Sequence, residues 1–202
     1  MTETRPALVL ASGSSIRRQL LQNAGVVFSV DPAEIDEPAA VRDLQLHETA
    51  VPPLARGLAS LKAEAVSRRH HDALVIGADQ MLDLDGEILT KAGTPAMARA
   101  VLAQLRGREH RLHSGVAIAQ GGQTVWSHVG SATLRMRQFS DTWLDSYVAR
   151  LSTVLTTTVG AYQLEGEGIQ LFERIEGDYF TILGLPLLPL LGELRKQRVI
   201  EE

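Results

Sequence analysis

Four cations and a short run of carboxylates are the residues of this chain whose types could do chemistry on an anion. Asp79 closely follows the apolar stretch Val75-Ile76-Gly77, with Ala78 between them. In α/β proteins the carboxyl ends of strands are where ligands sit, so a carboxylate there could bind a divalent cation or take a proton from water. It could equally shape a turn. Arg17 and Arg18 fall in what reads as the first turn of a helix, where the backbone dipole is positive and a bare cation is unfavourable by roughly 0.3–1 kcal/mol. A phosphate at that point would accept from the helix amides, from the hydroxyls of Ser12 and Ser14, and from an arginine fork. The plainer reading is that Ser14 or Ser15 caps the helix and both arginines are solvated. Lys62 lies between Leu58 and Val66 at helical spacing, so it shares or borders an apolar face; it needs an anion there unless its stem snorkels to water. Lys91 is a loop lysine before the helix start Thr94-Pro95. Glu34, Asp36 and Glu37 form an acidic loop that is either solvated or, with bound water, the kind of carboxylate cluster that holds Mg²⁺.

These side chains need a scaffold, and the pattern of the chain supplies one. Ala7 to Ala11 reads as a strand, Ser12 to Ser15 as a turn, and Leu20, Leu21 and Ala24 as a helix stopped at Gly25. A second strand spans Val26 to Val30. After Pro52-Pro53 a helix runs from Leu54 to Arg69 with Leu54, Leu58, Leu61 and Ala65 on one face. Leu74 to Ile76 is a buried strand, and Met81 to Asp85 pairs with Glu87 to Leu89 around Asp85-Gly86. Thr94-Pro95 opens a helix that ends near Leu105. Strands follow at His110 to Ala119 and Thr124 to Arg137, then a helix from Ser140 to Leu151. Ile169 to Ile175 and Tyr179 to Leu183 read as paired strands, and Pro186 to Gln197 as a closing helix. No linker or repeat divides the chain. The expectation is one domain over 1–202 of α/β class, a mixed sheet flanked by helices with two lobes around a cleft.

Composition narrows the functions. The 202 residues carry no cysteine, which removes disulfides, thiolate nucleophiles and Cys-based zinc sites. A formal charge of -4 argues against broad nucleic-acid binding, which calls for a basic face. The N-terminal stretch has no leader pattern and no apolar run approaches the ~20 residues of a membrane span, so a cytoplasmic protein without a membrane partner is expected. His110 and His113 are three apart in a strand and point to opposite faces; all six histidines read as surface residues. There is no P-loop, and Gly166-Glu167-Gly168 lacks the third glycine and preceding strand of a dinucleotide fingerprint.

The segments ALVLASGSSIRRQLLQNAG, LKAEAV, VIGADQMLDLDGEILTK, LRGREHRLHSGVAI and GAYQLEGEGIQLFERIEGDYFTILGLP, in this order, resemble the Maf family of nucleoside triphosphate pyrophosphatases over nearly the whole chain. The resemblance implies a Maf/ITPase-like fold with a nucleotide cleft, a divalent cation such as Mg²⁺ or Mn²⁺, a homodimer, and hydrolysis of a nucleoside triphosphate between the α and β phosphates in a house-cleaning role. It implies that Ser12, Ser14, Arg17, Lys62 and Lys91 bind phosphates, that Glu37 and Asp79 hold the metal, and that Asp79 is the general base. Base choice is implied at Ile16, Gln80 and Glu165. Members of the dTTP/UTP type carry Arg, Thr and Gln there, and those of the 7-methyl-GTP type Trp, Gln and Glu. This chain matches the second type at Gln80 and Glu165 but not at Ile16, which cannot stack on a methylated base. Ala92 replaces a proline that commonly follows the lysine. The family is also associated with septum formation, so a nucleotide-binding regulator of cell division is the competing expectation.

Overall fold

The computed structural model describes residues 6–201, without the side chains of 153 and 154; residues 1–5 and 202, the two ends of the expected 1–202 domain, lie outside the described residues. The chain begins with β1 (Ala7–Leu10), α1 (Ser15–Asn23), β2 (Ser29–Val30), α2 (Glu37–Gln45) and α3 (Val51–Ser67). It continues through β3 (Ala73–Leu84), β4 (Glu87–Leu89), α4 (Pro95–Leu105), β5 (Glu109–Gln120), β6 (Gln123–Met136) and α5 (Asp141–Leu155). Two 3₁₀ turns, Val159–Ala161 and Glu167–Leu171, lead to β7 (Phe172–Glu176), α6 (Tyr179–Ile182) and α7 (Leu187–Lys196). The expected α/β class holds. Strand order is β2-β1-β3-β5-β6-β7, with β4 paired to β3; β1 is parallel to β2 and β3, and the other pairs are antiparallel.

β3 is the spine, and its alternation sorts the two faces of the sheet. Leu74, Ile76, Ala78, Leu82 and Leu84 enter the main core with Leu20 and Leu21 of α1, Leu102 and Leu105 of α4, and Leu144 and Tyr147 of α5. Each leucine or isoleucine among them taken fully out of water stabilises the fold by about 1.5–3 kcal/mol. The opposite face is covered by α3. A Cβ placed on Gly77 would lie 2.1 Å from the Ala59 carbonyl oxygen, and one on Gly115 2.2 Å from that of Ala55. Only glycine lets helix backbone rest on the strands at that distance, and Ala59, Ala63, Ala117 and Ala119 complete the small-residue seam. The inward side of α3 is therefore Leu54, Ala55, Leu58, Ala59, Lys62, Ala63 and Val66. Leu61, expected inward, is exposed; the shift brings Lys62 fully inside.

One edge of β3 is interrupted. β5 pairs continuously with it from Val75 to Asp83, but on the other edge β1 reaches only Ile76 and β4 begins at Leu82. In the gap between them Asp79 and Gln80 line a cleft, and the Ala78 carbonyl accepts from Arg17 instead of from a neighbouring strand. Asp79 is thus not at a strand end, as the sequence suggested, but inside β3, just past the carboxyl end of the parallel β1.

Three other expectations are corrected. The stretch Val26 to Val30 pairs only at Ser29–Val30, with Val27 largely exposed. Ile169 to Ile175 and Tyr179 to Leu183 do not pair with each other: β7 adds to β6, and Tyr179–Ile182 is a helical turn capped by Asp178, whose Oδ2 accepts from Thr181 N at 2.8 Å. His110 and His113 do face opposite ways, but both are buried. His110 Nε2 pairs with the Tyr162 hydroxyl at 2.8 Å while its Nδ1 has no partner among the described residues. Burial pushes this imidazole down to about 4. A histidine depressed below its unfolded value favours the fold above pH ~6.5 and loses that contribution as pH falls toward 4, on the order of 3 kcal/mol in full. His110→Gln is accordingly expected to cost stability at pH 7.5 and less, or nothing, at pH 4.5, as read by urea unfolding at both values. An unchanged difference would contradict the assignment.

Candidate active site

The cleft that opens at the gap has a volume of about 990 Å³ and is lined by every residue to which the resemblance assigned a role, Ser12, Ser14, Ile16, Arg17, Glu37, Lys62, Asp79, Gln80, Lys91 and Glu165, whereas Arg18, Glu34 and Asp36 are not part of its wall. β1 and α1 bring the first four, α2 brings Glu37, α3 brings Lys62, β3 brings Asp79 and Gln80, and Lys91 and Glu165 lie in the segments after β4 and after the first 3₁₀ turn.

The anion end is built by capping. Ser14 is the N-cap of α1, its hydroxyl accepting from Arg17 N at 3.4 Å, while Ser12 Oγ accepts from Ser14 N at 3.3 Å. The amides of Ser15 and Ile16 belong to the first turn and have no intrahelical acceptor. Arg17 does more than the sequence implied. Its Nε donates to the Gly184 carbonyl at 2.8 Å, and its Nη1 to the Ala78 carbonyl at 2.9 Å and to Ser12 Oγ at 3.1 Å. The guanidinium is a tie between the β1–α1 loop, the bare edge of β3 and the turn between α6 and α7. Burial lowers its pKa, opposed by the nearby charges of Asp79 and Glu37.

Lys62 and Asp79 are 7% and 8% exposed. Lys62 Nζ donates to Asp79 Oδ1 at 2.7 Å and sits 2.8 Å from Glu37 Oε1. The Glu37 side chain, 54% exposed, reaches in from the first turn of α2, which Asp36 caps through Ala39 N at 3.0 Å. Burial raises the Asp79 pKa above the ordinary aspartate value; Lys62 and Arg17 pull it down, and Glu37 adds to the rise. Asp79 is therefore a stronger base than an exposed aspartate, held between two cations.

Gln80, the next residue along β3, points to the opposite face of the sheet. Its Nε2 donates to Ser114 Oγ at 3.0 Å and to the carbonyls of Ile182 at 2.9 Å and Thr181 at 3.2 Å. Those acceptors use up the amide nitrogen, so a ligand can meet only its Oε1. Glu165 is exposed and lines the same cleft, and Ile16 is half-buried against the core. Lys91 is exposed, whereas Ala92 beside it is buried. The carbonyls of Ala78 and Gly184, and Ser114, are parts of the site that sequence reasoning missed. Carbonyl acceptors leave no trace in residue type, and Ser114 reads as an ordinary strand residue. Among the described residues no group of three or more His, Cys, Asp or Glu side chains could hold a metal; Glu37 and Asp79 are a pair.

The family comparison agrees with this geometry. The Maf-like protein family matches residues 7–197. A nucleoside triphosphate pyrophosphatase of Caulobacter vibrioides is 50% identical over 188 residues, covering 93% of this chain and 94% of that one. One of Maricaulis maris is 46% identical over 194 residues, covering 96% and 98%. A 7-methyl-GTP pyrophosphatase of Rhizobium etli is also 46% identical, over 196 residues, covering 97% and 98%. A solved nucleoside-triphosphatase / dITP/XTP pyrophosphatase of Mycobacterium abscessus is a far weaker likeness, 13% identical with a TM-score of 0.43, covering 96% of this chain and 95% of that one. With the family match spanning nearly all the described residues and the cleft lined by the residues that carried the resemblance, this chain belongs to the Maf family.

Proposed function

We propose that the cleft hydrolyses a nucleoside triphosphate to the monophosphate and pyrophosphate, with Asp79 as the base. The observation that carries this reading is the convergence of Glu37, Lys62 and Asp79 beside the capped N-terminus of α1. A triphosphate entering there would be met by the Ser15 and Ile16 amides, the Ser12 and Ser14 hydroxyls, and the charges of Arg17, Lys62 and Lys91. Asp79 takes a proton from water as the water oxygen bonds to the α-phosphorus and the bond to the β-phosphate oxygen breaks, releasing pyrophosphate. Arg17, tied to two carbonyls, is a fixed charge that holds the anion end in shape and need not reorganise during the step.

The oxygen donors of Glu37 and Asp79 converge on one point, and carboxylate oxygens suit a hard divalent cation; these two residues would hold Mg²⁺ or Mn²⁺. When bound, such an ion neutralises phosphate charge and acidifies water. We also read the enzyme as a single domain, homodimeric and cytoplasmic, with no nucleic-acid or membrane partner. The resemblance supports the dimer, and no helix of the described residues is long and apolar enough to cross a membrane.

Base choice separates from chemistry because Asp79 and Gln80 face opposite sides of β3. A carboxylate at Glu165 accepts from the N1–H and N2 amino edge of guanine, and Gln80 offers an acceptor. Guanine-type triphosphates, 7-methyl-GTP among them, are the substrates this favours. Ile16 offers no aromatic face to the cationic methylated ring, so 7-methyl-GTP should lead GTP by a small factor only. A panel of GTP, 7-methyl-GTP, ITP, dTTP and UTP tests the reading. Guanine nucleotides are expected to exceed UTP and dTTP in kcat/KM by roughly tenfold or more, since unpaired polar groups in a site penalise the wrong base. In Glu165→Gln that ratio should shrink. A wild-type preference for dTTP or UTP would overturn the assignment of Glu165.

A further inference from the structure

Resting on the reading of Glu37 and Asp79 as metal ligands, we infer that Lys62 is a resident cation that occupies the metal position until a triphosphate draws it away, so that metal and nucleotide load together. Lys62 Nζ sits 2.8 Å from Glu37 Oε1 and 2.7 Å from Asp79 Oδ1, and it is the group on which the two carboxylates, from α2 and β3, converge. Mg²⁺ would bond to the same oxygens at about 2.0–2.1 Å. The two positions overlap, and the ammonium and a dication cannot share them at close range in a buried site.

Charge leads to the same conclusion. Asp79 and Glu37 are formally balanced by Lys62 and Arg17, whose guanidinium is held against the bare edge of β3 next to Asp79. These four side chains together carry no negative excess, and no further carboxylate joins the pair among the described residues. A dication arriving alone would leave positive charge uncompensated. Arriving with a triphosphate, it finds both its own neutralisation and an anion to which Lys62 can swing. The fold makes that exchange feasible: Lys62 lines the cleft, its stem rises from the inward face of α3, and Glu37 is half-exposed at the rim. Before the nucleotide arrives, Lys62 thus keeps both carboxylates aligned while blocking premature metal binding.

The test is Mn²⁺ alone, without nucleotide, titrated by electron paramagnetic resonance into wild type, Lys62→Met and the double variant Lys62→Met/Glu37→Gln. Wild type is expected to bind at roughly millimolar Kd or weaker, in the range of sparsely charged sites. Lys62→Met should bind about tenfold or more tightly, and the double variant should lose that gain. Melting temperatures give a second reading: Mn²⁺ should raise that of Lys62→Met and leave that of wild type nearly unchanged. If Lys62→Met does not fold, the wild-type titration still decides, because micromolar binding of Mn²⁺ by wild type overturns the inference. So does equal affinity in wild type and Lys62→Met. Either of those results with pyrophosphate release still requiring Mg²⁺ or Mn²⁺ leaves the proposed function intact, whereas triphosphate hydrolysis at full rate in chelator would remove the metal reading beneath both.

Discussion

Asp79→Asn lowers the rate of pyrophosphate release by about 10²–10⁴-fold, the range of a lost general base, while the protein stays folded. Asparagine keeps the shape of the side chain and an oxygen that can accept from Lys62, whose other contact, Glu37, is untouched. The pH profile carries a second signature. Asp79 has its pKa raised, chiefly by burial, so the neutral acid is favoured in the fold and the active base forms only above that raised value. Wild-type kcat/KM should therefore climb with pH along a limb lying above the ordinary aspartate value of ~3.9, and the variant should lack the limb. The same shift makes native stability fall as pH rises from the unfolded toward the folded value of Asp79, so charged Asp79 is no prop of the fold and its loss should not unfold it. A nucleotide-binding regulator of cell division without catalysis predicts the opposite: no pyrophosphate release by wild type, and no kinetic change on substitution.

Gly77→Ala destabilises the protein by about 3 kcal/mol, at the upper end for an overpacked core. The added methyl meets the Ala59 carbonyl at 2.1 Å and the Ala63 backbone nitrogen at 2.6 Å. Neither is a flexible tip that could turn aside, so α3 must lift from the sheet. For a chain of this length that corresponds to a fall in melting temperature of roughly 6–12 °C. Activity should fall further than stability explains, because α3 carries Lys62 to Asp79 and a displacement of 1 Å in a catalytic array is expensive. Gly192→Ala is the control: it sits in α7 with nothing within 4 Å of an added Cβ, and replacing a helical glycine by alanine should leave stability unchanged or raise it by up to about 1 kcal/mol. Equal behaviour of the two variants would contradict the close seating of α3.

What the sequence made legible, and what it hid, follows from the range of the forces involved. Local signals were read correctly. A serine cap at Ser14 or Ser15, which the structure resolves to Ser14, Thr94-Pro95 as a helix start, the Asp85-Gly86 turn and the long β5–β6 hairpin are each decided within a few residues. Lys62 was placed on the edge of an apolar face, but only the glycine and alanine seam between α3 and the sheet shows that it is wholly inside. Tyr179-Phe180-Thr181-Ile182 has the composition of a strand, yet Asp178 caps it and turns it into helix. The signal was present in an aspartate three residues before a threonine, and apolar character outweighed it. α2 was passed over as acidic loop for the same kind of reason, although Asp36 and Pro38 mark a helix start. The interruption of the sheet edge beside Asp79 could not be read at all, since it depends on where β1 and β4 stop relative to β3. That gap turns a mid-strand aspartate into the centre of a cleft, and gives Arg17 its carbonyl acceptor at Ala78.

The products themselves offer the most direct measurement: incubation of wild type with GTP and Mg²⁺ in ¹⁸O-enriched water, followed by ³¹P NMR and mass spectrometry. Equal amounts of monophosphate and pyrophosphate are expected, with one ¹⁸O atom on the monophosphate, because water attacks the α-phosphorus. GDP and inorganic phosphate as products, or label in the pyrophosphate, would overturn that assignment.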